Sequence, residues 1–494
     1  MLFIGLDLGS TGIRAIASDE NGKIVAQIQV QMPIDLLYRN CPDTSQQIHE
    51  QNPYEWKRRI IEVLNLLIKK IKSLNISINE VVGICSDSTS GSIIPVDKNG
   101  KPLTNAIMYN DSRAEKESEL INNVSEELCQ KLGYRFKSSF ALPKILWIKN
   151  HLESVYKNTF KFLHANDFIT GILSDEYYHS DISNCLKAGY DFIDEKWPDF
   201  IEYALGLSLE KFPSVVPSGT IMTYTSTEIE NLTGLPKGIP IISGATDSIA
   251  ALVASGVSKI GDIFTSLGTT LVTRVLTSNL IKDPLGRAYC HLFPGKKKIF
   301  LPGGASSVGS LCLQHFFPKI DYNEYDTKAL ELFPVNIITY PLIKKGERFP
   351  FIDPDAHYFC IGKIQNDFEH YTSLLQGVAF VERMSIEVLE KLGIKTNDRV
   401  FTIGGATKSK EWLQIRADVL NKSIIRPKII EAAYGCIIIA ISTIIYDNDL
   451  ESSINNLVKK DLIMKPREKL RDKIDQLYNI FKDEVNKRFN LQLK

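Results

Sequence analysis

The stretch Leu2-Phe3-Ile4-Gly5-Leu6-Asp7-Leu8-Gly9-Ser10-Thr11-Gly12-Ile13-Arg14 decides the fold. Its first seven residues are a short apolar run of strand type, and the small residues Gly9 to Gly12 close a tight turn. A second strand is predicted over Ile13 to Ser18. The turn Asp19-Glu20-Asn21-Gly22 then leads into a third, Lys23 to Val30. Three strands joined by short turns make an antiparallel meander.

Outward from the meander the pattern becomes mixed. Asn52 is a credible N-cap with Pro53 at the first helical position and Glu55 at N3. Trp56, Ile60, Leu64, Leu67 and Ile71 recur at helical spacing, and an apolar strand follows at Val81 to Cys85. Gly234, Pro236, Gly238 and Pro240 are the densest punctuation in mid-chain, so a domain boundary is expected at residue 240. Beyond it the pattern restarts. Gly261 to Thr270 reads as a strand running into a Gly/Thr turn, and Leu271 to Val275 as another strand. Asp367 to Leu392 is predicted as a helix, Ile437 to Tyr446 as a buried one, and the tail from Asp447 as a peripheral helical segment. The expected division is 1–240, 241–446 and 447–494.

Several small-residue turns could carry chemistry. Backbone N–H groups and hydroxyls at Gly9, Ser10 and Thr11 can approach phosphate oxygens closely, and Asp7 can hold Mg²⁺, a hard cation. The same residues also suit a plain hairpin. Asp247 precedes the apolar run Ile249 to Val253, where a helix dipole would favour its ionised form. There it could be a general base for a sugar hydroxyl or only a cap. Gly404 and Gly405 lead into a helix carrying Trp412, which could stack on a purine or fill the core. Gly303-Gly304 is similar. Cys85 to Gly91 offers clustered hydroxyls, and Asp111 and Arg113 stand two apart in a loop; both also suit ordinary turns.

Composition narrows the remaining classes. Fifty-eight Lys+Arg balance 58 Asp+Glu, so no general attraction to nucleic acid or anionic membrane is expected. No apolar stretch reaches the ~20 residues of a membrane span. The eight cysteines stand in no CxxC relation and the eight histidines in no HxxH group. With no leader before the first strand, reduced thiols and a cytoplasmic location are expected.

Taken in order, Asp7-x-Gly9-Ser10-Thr11-x-x-Arg14, Glu50-x-x-Pro53-x-x-Trp56, Asp111-x-Arg113-Ala114, Gly244 to Asp247, Gly268-Thr269 and Gly404-Gly405 resemble the FGGY carbohydrate kinases. Asn184-x-Leu186-Lys187-x-Gly189-Tyr190 and Gly346-Glu347-Arg348-Phe349-Pro350 look closest to the D-ribulokinases of cyanobacteria and plant plastids. The resemblance implies an α/β fold of two ribonuclease-H-like domains of the actin-like ATPase superfamily, with an interdomain cleft that closes. The sugar would lie on the first and ATP on the second. It also implies a catalytic base at Asp247 and sugar contacts at Asp7, Ser90 and Asp247, with Asp7 also at the metal. Gly9, Ser10 and Thr11 would form one phosphate turn, and Gly268 and Thr269 the other. Gly304, Gly404, Gly405, Ala406 and Trp412 would surround the adenosine. The family's Gly-Gly-Gly-Ala-Lys-Asn turn is here Gly404-Gly405-Ala406-Thr407-Lys408-Ser409, which adds a methyl group and shortens a side chain. The activity expected is ATP- and Mg²⁺-dependent phosphorylation of D-ribulose to D-ribulose 5-phosphate by a monomer or homodimer. The alternatives are a kinase for D-xylulose, L-ribulose or another polyol, or an actin-like ATP-binding regulator.

Overall fold

The computed structural model describes residues 1–33 and 48–491; Cys41 and the last three residues lie outside them. The chain forms two compact units. The first comprises residues 1–254, 291–298 and 431–457, and the second 255–290, 299–430 and 458–494.

The first unit is built on a six-stranded sheet in the order Ile221–Tyr224, Pro240–Thr246, Val81–Ser88, Leu2–Leu8, Gly12–Asp19, Ile24–Gln31. The last three form the expected antiparallel meander. Leu2–Leu8 runs parallel to Val81–Ser88, which runs parallel to Pro240–Thr246. Alternation sorts the first strand's side chains onto two faces. Leu2, Ile4, Leu6 and Leu8 join a core with Trp56, Ile60, Leu64 and Leu67 of the helix Pro53–Ser73, whose N-cap Asn52 accepts from the Tyr54 amide. On the other face stands Gly5, where a Cβ would lie 1.9 Å from the Ala433 carbonyl oxygen. That close approach lets the helix Ala432–Ile445 lie against the strand.

The units therefore do not divide at the Gly/Pro-rich stretch. Pro240–Thr246 hydrogen-bonds into the first sheet, so it and the helix Asp247–Ser255 continue the first unit to residue 254. Residues 431–457 return to it. The tail is also more than a helix: Lys460–Met464 pairs antiparallel with Ser423–Pro427 before the helix Arg471–Arg488.

The second unit repeats the layout. Its sheet runs Tyr289–Leu292, Phe300–Ser306, Leu271–Val275, Ile263–Leu267, Arg399–Ile403, Ser423–Pro427, Lys460–Met464. Ile263–Leu267 again turns back antiparallel to its successor and lies parallel to a distant strand, Arg399–Ile403. Both units have the ribonuclease-H-like α/β architecture. At the second unit's centre the fully buried Arg416 guanidinium donates to both oxygens of Glu382 (2.7 Å each) and to the Thr265 and Thr402 hydroxyls. This pairing offsets the cost of burying the charge, while the Arg416 Nη1 has no hydrogen-bond partner.

Candidate active site

The parallel register of the first unit brings three carboxylates together. Asp7 stands directly beside Asp87, and Asp87 beside Ala245, two residues before Asp247. Asp87 is fully buried; its Oδ2 accepts from the Cys436 thiol at 3.1 Å, and its Oδ1 has no hydrogen-bond partner. Burial, then the neighbouring Asp7 charge, pushes the Asp87 carboxyl well above the usual range. Asp7 is also raised by burial, against opposing effects from Asp87 and Arg14.

Asp247 is the first residue of its helix, as expected, and its Oδ1 accepts from the Ser248 amide at 2.7 Å. The helix terminus does not dominate its ionisation. Burial pushes its pKa up to about 6; the Ser248 amide pulls it down, Asp7 pushes it up and Lys187 pulls it down. Desolvating a carboxylate outweighs the dipole and one N–H donor here.

Ser90 belongs to the same polar group. Lys187 Nζ donates to Ser90 Oγ at 2.7 Å, and its charge reaches Asp247. The buried Lys144 donates to the carbonyls of Gly91 (2.8 Å) and Ser139 (3.1 Å), bracing the loop behind Ser90. Asp7, Ser90 and Asp247 are thus assembled on one unit. Asp87 and Lys187 join them, although sequence reasoning passed both by. Asp87 carried a legible signal: Ile84-Cys85-Ser86-Asp87 has the same offset from its apolar strand as Ile4-Gly5-Leu6-Asp7. Lys187 carried none beyond its place in a quoted segment.

The first small-residue turn is pinned from behind. The Gly9 amide donates to the Gly12 carbonyl at 3.0 Å, and the Met32 amide to the Thr11 carbonyl at 2.9 Å. The Gln51 amide group donates to the Ser10 carbonyl at 2.8 Å while accepting from the Trp56 indole at 2.8 Å. Thr11 is exposed and Ser10 half-buried. The Asp111–Arg113 pair is bracing: Arg113 grips both Asp111 oxygens (2.9 and 2.7 Å) and Glu50 (2.8 Å) and lies over the Trp147 ring.

In the second unit the Gly268 amide donates to the Thr270 carbonyl at 3.0 Å. The Ser310 amide and hydroxyl both donate to the Gly268 carbonyl at 2.7 Å. Thr269 is exposed. Gly404, at φ +100°, runs so close to Leu267 that a Cβ would lie 2.4 Å from its carbonyl oxygen. The two turns are therefore neighbours within this unit.

Beside them lies a cavity of about 650 Å³, with Ser310, Gly405, Ala406, Ser409, Tyr371 and Asp326 among its lining residues. A volume of this order suits a nucleoside. Ser409 caps the helix Lys410–Leu420 by accepting from the Trp412 amide at 3.0 Å. Trp412 contributes to the cavity wall but is a core residue, 2% exposed, with its indole N–H on the Leu375 carbonyl. Gly304 lies in the strand Phe300–Ser306, where its lack of a side chain admits the Phe349 ring; it is not part of the cavity wall.

A divalent cation fits the first unit's oxygen donors. Asp7 is a partly exposed hard ligand beside Asp87, whose Oδ1 lacks a partner. Among the described residues no group of three or more His, Cys, Asp or Glu could hold a metal. Mg²⁺ keeps several waters and takes one or two carboxylates plus phosphate oxygens.

Comparison with known proteins shares the break after residue 254, although the second profile also spans residues 431–443, which the structure returns to the first unit. The N-terminal domain profile of the FGGY family of carbohydrate kinases matches residues 2–254, and the C-terminal domain profile residues 264–443. The chain is 26% identical to a xylulose kinase of Bacillus subtilis, covering 97% of this chain and 96% of that protein. It is 26% identical to a gluconokinase of the same organism, covering 87% and 85%. Its fold matches the crystal structure of a xylulose kinase from Rhodospirillum rubrum with a TM-score of 0.86, at 23% identity over 99% of this chain and 100% of the other. These relatives are xylulose kinases and a gluconokinase, not the D-ribulokinases favoured by the sequence resemblance.

Proposed function

Because the chain belongs to the FGGY family of carbohydrate kinases, we propose that it transfers the γ-phosphoryl group of ATP to a terminal hydroxyl of a ketopentose, with D-xylulose ahead of D-ribulose. The observation that carries this reading is Asp247, a carboxyl with a pKa of about 6 beside Asp7 and linked through Lys187 to Ser90. A base whose pKa lies just below working pH is ionised, yet retains affinity for a proton. In this reading Asp247 accepts the proton of the attacking hydroxyl as its oxygen bonds to phosphorus. The bond from phosphorus to the β–γ bridging oxygen breaks, and ADP leaves with that electron pair. Ser90 and Lys187 hold neighbouring sugar oxygens, and Asp7 would hold the metal. A bound Mg²⁺ would neutralise charge on the phosphate oxygens. The amide-lined turns at Gly9–Thr11 and Gly268–Thr269 suit phosphate, and the cavity at Gly405 and Ala406 suits the adenosine.

The choice of D-xylulose rests on the relatives. D-Gluconate is a second reading, supported by the gluconokinase relative and by the Lys187 ammonium, which suits a carboxylate. The seven described cysteines are all free, which supports a reducing compartment. Among the described residues no helix is long and apolar enough to cross a membrane.

The test is ADP release with Mg²⁺ and ATP against D-xylulose, D-ribulose, L-ribulose, D-gluconate and glycerol. The highest kcat/KM is expected for D-xylulose; a clear preference for D-ribulose would reinstate the first expectation. Asp247→Ala is expected to abolish turnover and largely spare ADP binding. Turnover like the native protein's would remove the base assignment.

A further inference from the structure

Building on the reading of the second unit as the nucleotide-holding one, we propose that Asp326 selects the base. Its carboxyl accepts an exocyclic amino hydrogen of a 6-aminopurine and rejects 6-oxopurines.

Asp326 sits on the helix Tyr322–Leu332, is 7% exposed, and lines the cavity beside Gly405. Its carboxyl is held by two donors from different elements. The Tyr371 hydroxyl donates to Oδ1 at 2.7 Å, and Ser409, from the turn after Gly404-Gly405, hydrogen-bonds the same group. A carboxylate has about four lone-pair sites. These two partners leave acceptor capacity on a group that forms part of the cavity wall.

The surroundings favour the base over the phosphates. Ser310 and Gly405 stand nearest the Gly268 turn, through the Ser310 bonds and the Gly404–Leu267 approach. Asp326 instead arrives with Tyr322 and Tyr371, whose ring centroids are 6.4 Å apart. Apolar ring surface beside a single buried acceptor is a setting for the edge of a flat heterocycle.

Adenine presents N–H donors at its six position. Hypoxanthine and guanine present a carbonyl oxygen there, which would face the carboxylate with no proton between. Tyr371 and Ser409 fix the carboxyl, so it cannot turn away, and an unpaired acceptor in a buried site is heavily penalised. In this role Asp326 touches the ligand, and Tyr371 is a positioning residue.

The experiment is calorimetric titration of the full chain with the magnesium complexes of ADP, inosine diphosphate and 2′-deoxy-ADP, which needs no sugar. The native protein is expected to prefer ADP over inosine diphosphate by roughly tenfold or more, about one charged hydrogen bond. Asp326→Asn keeps the shape of the site and places an amide N–H₂ within reach of the base. It is expected to collapse or reverse that ratio while leaving the ratio of ADP to 2′-deoxy-ADP unchanged. Tyr371→Phe should lower the first ratio partway. An unchanged ADP to inosine diphosphate ratio in Asp326→Asn overturns the proposal. So does a change confined to the 2′-deoxy ratio, which would assign the carboxyl to the ribose. Failure of the native protein to bind any of the three overturns this inference and the nucleotide reading together. ADP binding without phosphorylation of any sugar would sink only the sugar reading.

Discussion

Replacing Asp247 by Asn should make the protein more stable while removing its activity. Burial raises the Asp247 pKa from 3.8 to about 6. The folded state therefore binds a proton that the unfolded chain releases across that interval. Stability attributable to this group is fullest below pH 3.8, falls as pH rises toward 6, and stays lowered above it. A tenfold change in proton affinity is worth about 1.4 kcal/mol, so holding the ionised carboxylate at pH 7.5 costs about 3 kcal/mol. Asn has the same shape and keeps an oxygen for the Ser248 amide, yet carries no charge. It should recover much of that penalty, about 1–3 kcal/mol. The assay is thermal and urea unfolding of both proteins at pH 7.5 and pH 5. The variant should unfold later at pH 7.5, and its advantage should shrink at pH 5, where the native carboxyl is mostly protonated. A variant less stable at pH 7.5, or an advantage independent of pH, would refute the claim that Asp247 is held ionised against its surroundings.

The same carboxyl should govern the acid limb of catalysis: kcat/KM is expected to fall about tenfold per pH unit below pH 6. A profile flat to pH 5, checked against retained fold by circular dichroism, would separate the base from this group. Gly404→Ala and Gly405→Ala should differ sharply. The first sets a Cβ 2.4 Å from the Leu267 carbonyl at positive φ and should destabilise by about 2 kcal/mol or more in urea unfolding. The second meets nothing within 4 Å; it should fold normally but weaken ADP binding by calorimetry, since Gly405 lines the cavity. Arg416→Met leaves Glu382 buried and unpaired and should cost about 3–5 kcal/mol in urea unfolding.

The meander was legible because its signals are local. Alternating apolar strands and the turns at Gly9–Gly12 and Asp19–Gly22 need only near neighbours. The helix after Asn52 and the repeat of the strand–turn pattern at Gly268 were legible for the same reason. The small-residue turn at Gly404-Gly405 could be recognised, but whether Trp412 stacks on a ligand or fills the core could not. Its burial depends on Leu375, in a separate helix. Gly304 likewise looked like a ligand turn, yet its smallness serves Phe349.

What the sequence determined by itself was the type of fold and the residue types able to handle phosphate and a hydroxyl proton. Spacing along the chain is enough to specify hairpins, caps and amphipathic faces. Only the tertiary structure decided where the first unit ends, that residues 431–457 return to it, and that Asp87 and Lys187 join Asp7, Ser90 and Asp247. Parallel strands pair segments far apart in sequence, and no local pattern records that register. The charge state of Asp247 was likewise set by tertiary burial. Its place at a helix start favours the carboxylate, but desolvation by the assembled unit is the larger effect.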